Sequence, residues 1–257
     1  MLLAVNIGNS NIRFGVFKSE AEIITWTFNT KPYPTEDEFF AKFKTMYEPF
    51  GFHPSEISGI VIGSVVPPLT ASIFSSLEKL HQIKPVIVDR NTVSDVSHRS
   101  KQMGTDLYAN AVAAHYLYDG KKIIIDFGTA LTFTAIDENG KTLGVSIAPG
   151  VVTALNSLVG QTAQLPEIEL IAPNLVLGKD TVSCMQSGMV YGFLSLVEGM
   201  IDRINKEVGA DCFVIATGGM SHVYSPLTSK INIQDQLHTI KGIAQLYKLV
   251  KNQTNKK

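Results

Sequence analysis

The stretch Ile123-Ile124-Ile125-Asp126-Phe127-Gly128-Thr129-Ala130-Leu131-Thr132-Phe133-Thr134-Ala135-Ile136 runs from an apolar segment through a carboxylate and a glycine turn into a second apolar segment. Its β-branched and aromatic residues predict two short strands joined by a tight turn. The chain opens in the same order: Leu2 to Val5, the turn Asn6-Ile7-Gly8-Asn9-Ser10-Asn11, then Ile12 to Phe17. Asn6 aligns with Asp126, Gly8 with Gly128 and Asn9 with Thr129, each 120 residues on. A repeat at that distance predicts a duplicated α/β chain. Its two halves, 1–118 and 119–257, would each begin with a glycine-turn hairpin and face each other across a cleft.

The remaining punctuation supports this reading. Thr35 and Glu38 form a capping box for a helix to Tyr47 that carries Phe39, Phe40, Phe43 and Met46 on its apolar face. A strand at Ile60–Val66, closed by Pro67-Pro68, is followed by a helix at Leu69–His81, a strand at Pro85–Val88 and a helix at Asp106–Leu117. In the second half Asp137-Glu138-Asn139-Gly140 turns the chain into a strand at Leu143–Ile147. A long helix spans Thr181–Glu207, a strand at Cys212–Ala216 ends in Thr217-Gly218-Gly219, and a closing helix covers Asp235–Val250 before a frayed tail, Asn252–Lys257.

Composition narrows the function. With 45% apolar and 18% charged residues the chain has material for a buried core, and its net charge of −1 offers no field for nucleic acid or anionic membrane. Its longest apolar stretches, such as Ile60–Val66, fall far short of the roughly 20 residues that span a bilayer. Met1–Val5 lacks a basic leader and reads as a strand, not a signal peptide. Cys184 and Cys212 lack metal-ligand spacing and read as buried, reduced thiols of a cytoplasmic protein.

Three constellations carry chemistry. A glycine turn lets backbone N–H groups approach phosphate oxygens, and Asn9, Ser10 and Thr129 add donors to the same anion. The plain alternative is a hairpin with a convenient glycine, but two copies followed by Thr217-Gly218-Gly219 argue against it. Asp106 opens a helix in Gly104-Thr105-Asp106-Leu107, where it serves as a cap or as a base beside a phosphoryl donor. In the long helix Gly188 and Gly192 share a face that another backbone could approach closely, and Asp180 or Thr181 caps its N-terminus. The six histidines show no ligand spacing and read as surface or packing residues.

Taken in order, these motifs resemble the type III pantothenate kinase family, also described as the Bvg accessory factor family, over nearly the whole chain. The turn at Asn6–Asn11 resembles the family's Asp-x-Gly-Asn-Thr motif. Gly104-Thr105-Asp106-Leu107, followed by Ala109-Asn110-Ala111-Val112, is similar to its Gly-x-Asp-Arg segment. Asp126-Phe127-Gly128-Thr129-Ala130, Ile147-Ala148-Pro149-Gly150, Thr162-Ala163-Gln164-Leu165-Pro166, Gly178-Lys179-Asp180-Thr181 and Thr217-Gly218-Gly219 follow in the family's order.

The resemblance implies an actin-like, sugar-kinase (ribonuclease H-like) fold. The implied activity is ATP-dependent phosphorylation of pantothenate to 4'-phosphopantothenate, the first step of coenzyme A synthesis. By the same resemblance Asp106 is the base, and Asn6, Ile7, Gly8, Asn9, Ser10, Asn11, Ile12, Arg13, Gly128, Thr129, Gly218 and Gly219 hold ATP. Ser97, Gly104, Thr105, Asp106, Leu107 and Thr181 line the pantothenate pocket. Asp126 holds a monovalent cation, K+ or NH4+, beside the Mg2+ of the nucleotide, and the protein is a homodimer. Three positions depart from the pattern: Asn6 replaces an aspartate, Leu107 an arginine, and Ser97 an aromatic residue. Arg99, in Ser97-His98-Arg99-Ser100, is a cation that could stand in for the missing arginine. A second reading, a non-catalytic nucleotide- or partner-binding member, rests on those departures. A third keeps the kinase and changes the acceptor alcohol.

Overall fold

The computed structural model describes residues 1–98, 100 and 102–254. Arg99 and the terminal lysines Lys256 and Lys257 therefore lie outside the described residues. The chain divides into two compact units. One is made of Met1–Asp95, the segment ending at Ala113 and the C-terminal segment beginning at His238; the other is made of Val96–His98 and Ala114–Leu237.

In the first unit the elements are β1 (Leu2–Ile7), β2 (Asn11–Phe17), β3 (Ile23–Asn29), α1 (Glu36–Thr45), β4 (Gly59–Ser64), α2 (Pro67–His81), β5 (Val86–Val88) and α3 (Thr105–Leu117), the last of which runs on past Ala113 into the other unit. In the second they are β6 (Lys122–Phe127), β7 (Ala130–Ile136), β8 (Thr142–Pro149), α4 (Val151–Gly160), α5 (Thr181–Val208), β9 (Phe213–Thr217), α6 (Ser221–Tyr224) and β10 (Ile233–Gln234). The closing helix, α7 (His238–Thr254), returns to the first unit and packs on β1 and β4.

The duplication read from the glycine turns extends to whole sheets. The first unit's strands are ordered β3-β2-β1-β4-β5 and the second's β8-β7-β6-β9-β10. In both, the first two pairings are antiparallel and the last two parallel. The second hairpin is one residue tighter: Ile7 faces Ile12 across the first turn, whereas Phe127 faces Leu131 across the second.

Period-two alternation decides what each hairpin buries. Leu3, Val5, Ile7, Ile12, Phe14 and Val16 enter one core with Phe39 and Phe43 of α1. Ile123, Ile125, Phe127, Leu131 and Phe133 enter the other with Met185, Val197 and Ile201 of α5. In the first core Phe14 stacks on Trp26 at a centroid distance of 5.6 Å, and Trp26 meets Tyr47 edge-on at 5.7 Å. His81 is buried there as a packing residue. Its Nδ1–H donates to the Pro54 carbonyl (3.0 Å), so Nε2 accepts from the Tyr47 hydroxyl (2.9 Å).

Several expectations need correction. Cys212 is buried but Cys184 is exposed, because it sits on the outer side of the first turn of α5 while Met185 and Met189 take the inner side. Apart from the helix's own nearby backbone, no atom among the described residues comes within 4 Å of a Cβ built on Gly188 or Gly192, so the expected close approach is not made there. The Pro67-Pro68 pair opens α2 instead of only closing a strand, since proline's fixed φ suits the first helical turn. The closing helix begins three residues later than its pattern suggested: the Asp235 N–H is taken by the Ala216 carbonyl, which extends the sheet pairing through that residue.

Candidate functional site

The first unit builds a turn and a carboxylate side by side. Gly8 N–H donates to the Asn11 carbonyl (2.9 Å), and Thr30 braces the turn twice, its Oγ1 on the Gly8 carbonyl (2.7 Å) and its N–H on the Ser10 carbonyl (2.9 Å). A Cβ on Gly8 would stand 3.1 Å from the Asn11 oxygen, so the turn closes most easily around glycine. Ile7 and Ile12 are fully buried, so only their backbones face the turn, while the side chains of Asn9, Ser10 and Asn11 are exposed.

Asn6 pairs with Gly63 of the neighbouring parallel strand. A Cβ at Gly63 would stand 3.2 Å from the Thr105 methyl, and one at Gly104 would meet Val65 and the Asp106 carboxylate. The end of β1 is thus linked through β4 to the start of α3, where Asp106 lies half-buried in the first turn. The Leu107 N–H donates to Asp106 Oδ1 at 2.8 Å. Burial raises the Asp106 pKa above the ordinary carboxylate value, and backbone donors at Leu107 and at its own N–H oppose that rise. A carboxylate moved this way is a stronger proton acceptor, as a general base requires.

The second unit builds its own cradle around Asp126, at the exit of β6. Its Oδ1 would be 3.3 Å from a Cβ on Gly128 and 2.5 Å from one on Gly218, so both glycines leave room for it. Gly218 adopts φ +88°, the left-handed region that favours glycine. The strand register sets Thr132 and Thr217 directly beside Asp126 on the same sheet face. Both hydroxyl oxygens are buried without a hydrogen-bond partner among the described residues. Buried hydroxyls are normally satisfied, so these two add hydrogen-bonding capacity to the face that carries Asp126.

The sequence reading missed a part of this cradle. Gly150 caps α4 and donates its N–H to the Thr129 carbonyl (3.1 Å), and a Cβ there would overlap the Gly128 and Thr129 carbonyls. Thr153 Oγ1 also donates to the Thr129 carbonyl, at 2.7 Å. The N-terminus of α4 therefore abuts the Gly128–Thr129 turn and brings its positive dipole end to it. The signal was available in Pro149-Gly150 ahead of the apolar run Val151-Val152.

The remaining expected site residues take varied places. Gly219 follows Gly218 in the Asp126 cradle, and its carbonyl accepts from or faces His222 Nδ1 at 2.9 Å. Thr181 is the first residue of α5, after an Asp180 cap whose carboxylate accepts from the Ser183 N–H (2.9 Å). Ser97 is bridged to Lys141 at the β7–β8 turn, with its N–H on the Gly140 carbonyl (3.1 Å) and its carbonyl accepting from Thr142 (2.8 Å). Leu107 and Arg13 are half-buried. Among the described residues no three acidic, histidine or cysteine side chains gather as a metal cluster, and no helix is long and apolar enough to cross a membrane.

The chain is similar to known proteins over nearly its whole length. The family model described as Type III pantothenate kinase matches residues 2–203. A type III pantothenate kinase of Moorella thermoacetica is 36% identical over 96% of this chain and 98% of its own length. One of Syntrophus aciditrophicus is 36% identical over 96% and 99%. Among solved structures, a Baf family protein of Campylobacter jejuni superposes with a TM-score of 0.60 at 20% identity, covering 98% of this chain and 99% of its own. A ROK family glucokinase of Streptomyces griseus, solved with glucose and AMPPNP, gives 0.51 at 14% over 98% and 99%, which places the fold among actin-like sugar kinases. The chain belongs to the type III pantothenate kinase family.

Proposed function

We propose that the protein transfers the γ-phosphoryl group of ATP to the primary hydroxyl of pantothenate, giving 4'-phosphopantothenate and ADP, the first step of coenzyme A synthesis. The observation that carries this reading is the placement of Asp106, whose basicity burial increases, beside β4, the strand paired with the one that bears the Gly8 turn. Asp106 takes the hydroxyl proton as the oxygen–phosphorus bond forms, and the bond from the γ-phosphorus to the bridging oxygen breaks toward ADP.

In this reading the segment Asn6–Arg13 and the Gly128–Thr129 turn supply phosphate contacts through backbone N–H groups, and Gly218-Gly219 takes the adenosine. Gly104, Thr105, Leu107, Ser97 and Thr181 contribute to the pantothenate pocket. Asp126, flanked by the partnerless hydroxyls of Thr132 and Thr217, offers an all-oxygen donor set that suits a hard monovalent cation such as K+ or NH4+. Asn6 is a neutral oxygen donor for a Mg2+ that keeps several waters. These ions, when bound, supply positive charge to the phosphate oxygens.

In this proposal segments 1–118 and 119–257 are the duplicated sequence halves, with α7 of the second packing in the first unit, and the protein is cytoplasmic. A homodimer fits the second unit's exposed apolar side chains, including Val145, Ile147, Val152 and Val182, together with the open glycines Gly188 and Gly192. Sedimentation of the purified protein tests it. The function itself is tested by incubating the chain with ATP, Mg2+ and pantothenate, with and without K+. The expected product has the mass of 4'-phosphopantothenate, forms only with K+ or NH4+ present, and forms about two to four orders of magnitude more slowly with Asp106→Asn. ATP hydrolysis without that product overturns the reading.

A further inference from the structure

We infer that Asn110 is the positioning residue for Asp106, and that its side chain fixes the start of α3 through Thr239 of α7, beside the bond from His238 to the main-chain carbonyl at 110. The inference rests on the phosphotransfer reading above, which gives Asp106 its task.

Asn110 is only 1% exposed, in the interior of the first unit. A buried amide is unfavourable unless bonded, and alanine or leucine would fill the space without that penalty. Here both the side-chain amide and the main chain of residue 110 are bonded to α7. Its Oδ1 accepts from Thr239 Oγ1 at 2.8 Å, and its main-chain carbonyl accepts from His238 Nε2–H at 3.1 Å. A Cβ at Gly242 would overlap the Ala109 carbonyl. Residues 238, 239 and 242 thus bring one face of α7 onto two consecutive residues of α3, with His238 itself fully buried.

Asn110 follows Asp106 by four residues, so it lies on the same side of the helix, one turn or about 6 Å further along. A shift of the helix at Asn110 is carried to Asp106 through intact backbone hydrogen bonds. The same helix α7 also reaches the strand beside the phosphate turn: a Cβ at Gly63, the partner of Asn6, would stand 2.8 Å from Ile243 Cδ1 and 3.2 Å from the Thr105 methyl. One helix therefore sets both the base and the strand next to the phosphate turn, which is what in-line transfer demands of their spacing. A mere filler at 110 needs no such pairing.

The test compares Thr239→Val, Thr239→Ser and Asn110→Ala with the wild type, in kinetics and in amide exchange at Leu107 and Tyr108. Displacement of a reacting group by about 1 Å costs on the order of a hundredfold. Thr239→Val and Asn110→Ala are therefore expected to lower kcat about tenfold to a hundredfold, with both KM values within about twofold and faster exchange in the first turn of α3. Thr239→Ser, which keeps the hydroxyl, is expected to restore wild-type values. Wild-type kcat and exchange in Thr239→Val, or an equal loss in Thr239→Ser, overturns the inference. Should Asn110→Ala fail to fold, the half-buried Thr239 pair decides alone. A wild-type chain that does not phosphorylate pantothenate rejects the functional reading instead, and the exchange data still report on the clamp.

Discussion

Gly218 leaves room for the Asp126 carboxylate: a Cβ at 218 would stand 2.5 Å from Asp126 Oδ1 and 2.6 Å from the Phe127 carbonyl carbon, and the residue holds φ +88°. Gly218→Ala therefore meets two penalties. The left-handed backbone alone costs about 1–2 kcal/mol for a residue with a Cβ, and the overlap pushes Asp126 from its place beside Gly128. The expected result is a melting midpoint lower by about 2–8 °C and a loss of turnover of about tenfold or more. Gly219→Ala is the control, since nothing lies within 4 Å of its Cβ position and its φ is ordinary. Its stability stays within about 0.5 kcal/mol of the wild type. Equal behaviour of the two variants, measured by thermal denaturation, removes the Gly218–Asp126 contact from the argument.

What was legible in the chain follows a physical division. The hairpins, the Thr35–Glu38 capping box and the helix beginning at Thr181 were readable because a turn residue or cap states each of them within four or five residues. The strand at Ile23–Asn29 was missed: its pairing with β2 is what makes it a strand, and its own residues are mostly half-exposed. The helix at Val151–Gly160 was missed because Gly150, which caps it, offers no side-chain oxygen to announce it. Which unit α7 joins could not be read at all. That choice depends on Gly242 against Ala109, contacts more than a hundred residues apart in the chain. Of the candidate site, Asp106, Gly8 and Gly128 stand out in the sequence itself, whereas the Thr132–Asp126–Thr217 row needs strand register.

Asp106 gives a prediction in which activity and stability move in opposite directions. Because burial raises its folded-state pKa, the folded chain favours the neutral carboxyl. The stability it contributes is present below the ordinary aspartate value, near 3.8, and is lost as pH rises through the folded value. Asp106→Asn, neutral at every pH, is thus expected to resist denaturant better than the wild type at pH 7 and to show no advantage near pH 3. Turnover falls by about two to four orders of magnitude. Urea midpoints at the two pH values, alongside the product assay, check both halves. A midpoint at pH 7 no higher than that of the wild type contradicts the burial argument, and unchanged turnover removes Asp106 as the base.

His81 behaves with the reverse sign. Burial lowers its pKa below 6.5, although its bond to the Pro54 carbonyl works against the shift. Its contribution is therefore present above about pH 6.5 and disappears as pH falls through the lower folded value. His81→Leu, which neither titrates nor accepts a hydrogen bond, should flatten that acid-side loss of stability. At pH 7.5 it should also cost about 1–3 kcal/mol, because the buried Tyr47 hydroxyl then lacks its acceptor. Denaturant midpoints taken between pH 5 and pH 8 measure both effects. An acid-side slope that persists in the variant assigns the titration to another group.

Leu107 follows the base directly and is half-buried, with no charge of its own. Pantothenate carries a carboxylate, and a carboxylate leaving water is stabilised far better by a guanidinium than by an isobutyl side chain. Leu107→Arg places five donors one residue from Asp106. A hydrogen bond to a charged group contributes about 1.5–3 kcal/mol, which corresponds to roughly tenfold to a hundredfold in affinity. The gain applies equally to bound substrate and transition state, because the carboxylate is remote from the reacting hydroxyl. The KM for pantothenate should therefore drop by about that factor while kcat stays within about twofold. The KM for ATP should not change. Steady-state kinetics with the single variant suffices, and a KM for pantothenate that does not fall means the substrate's carboxylate is held by residues other than 107.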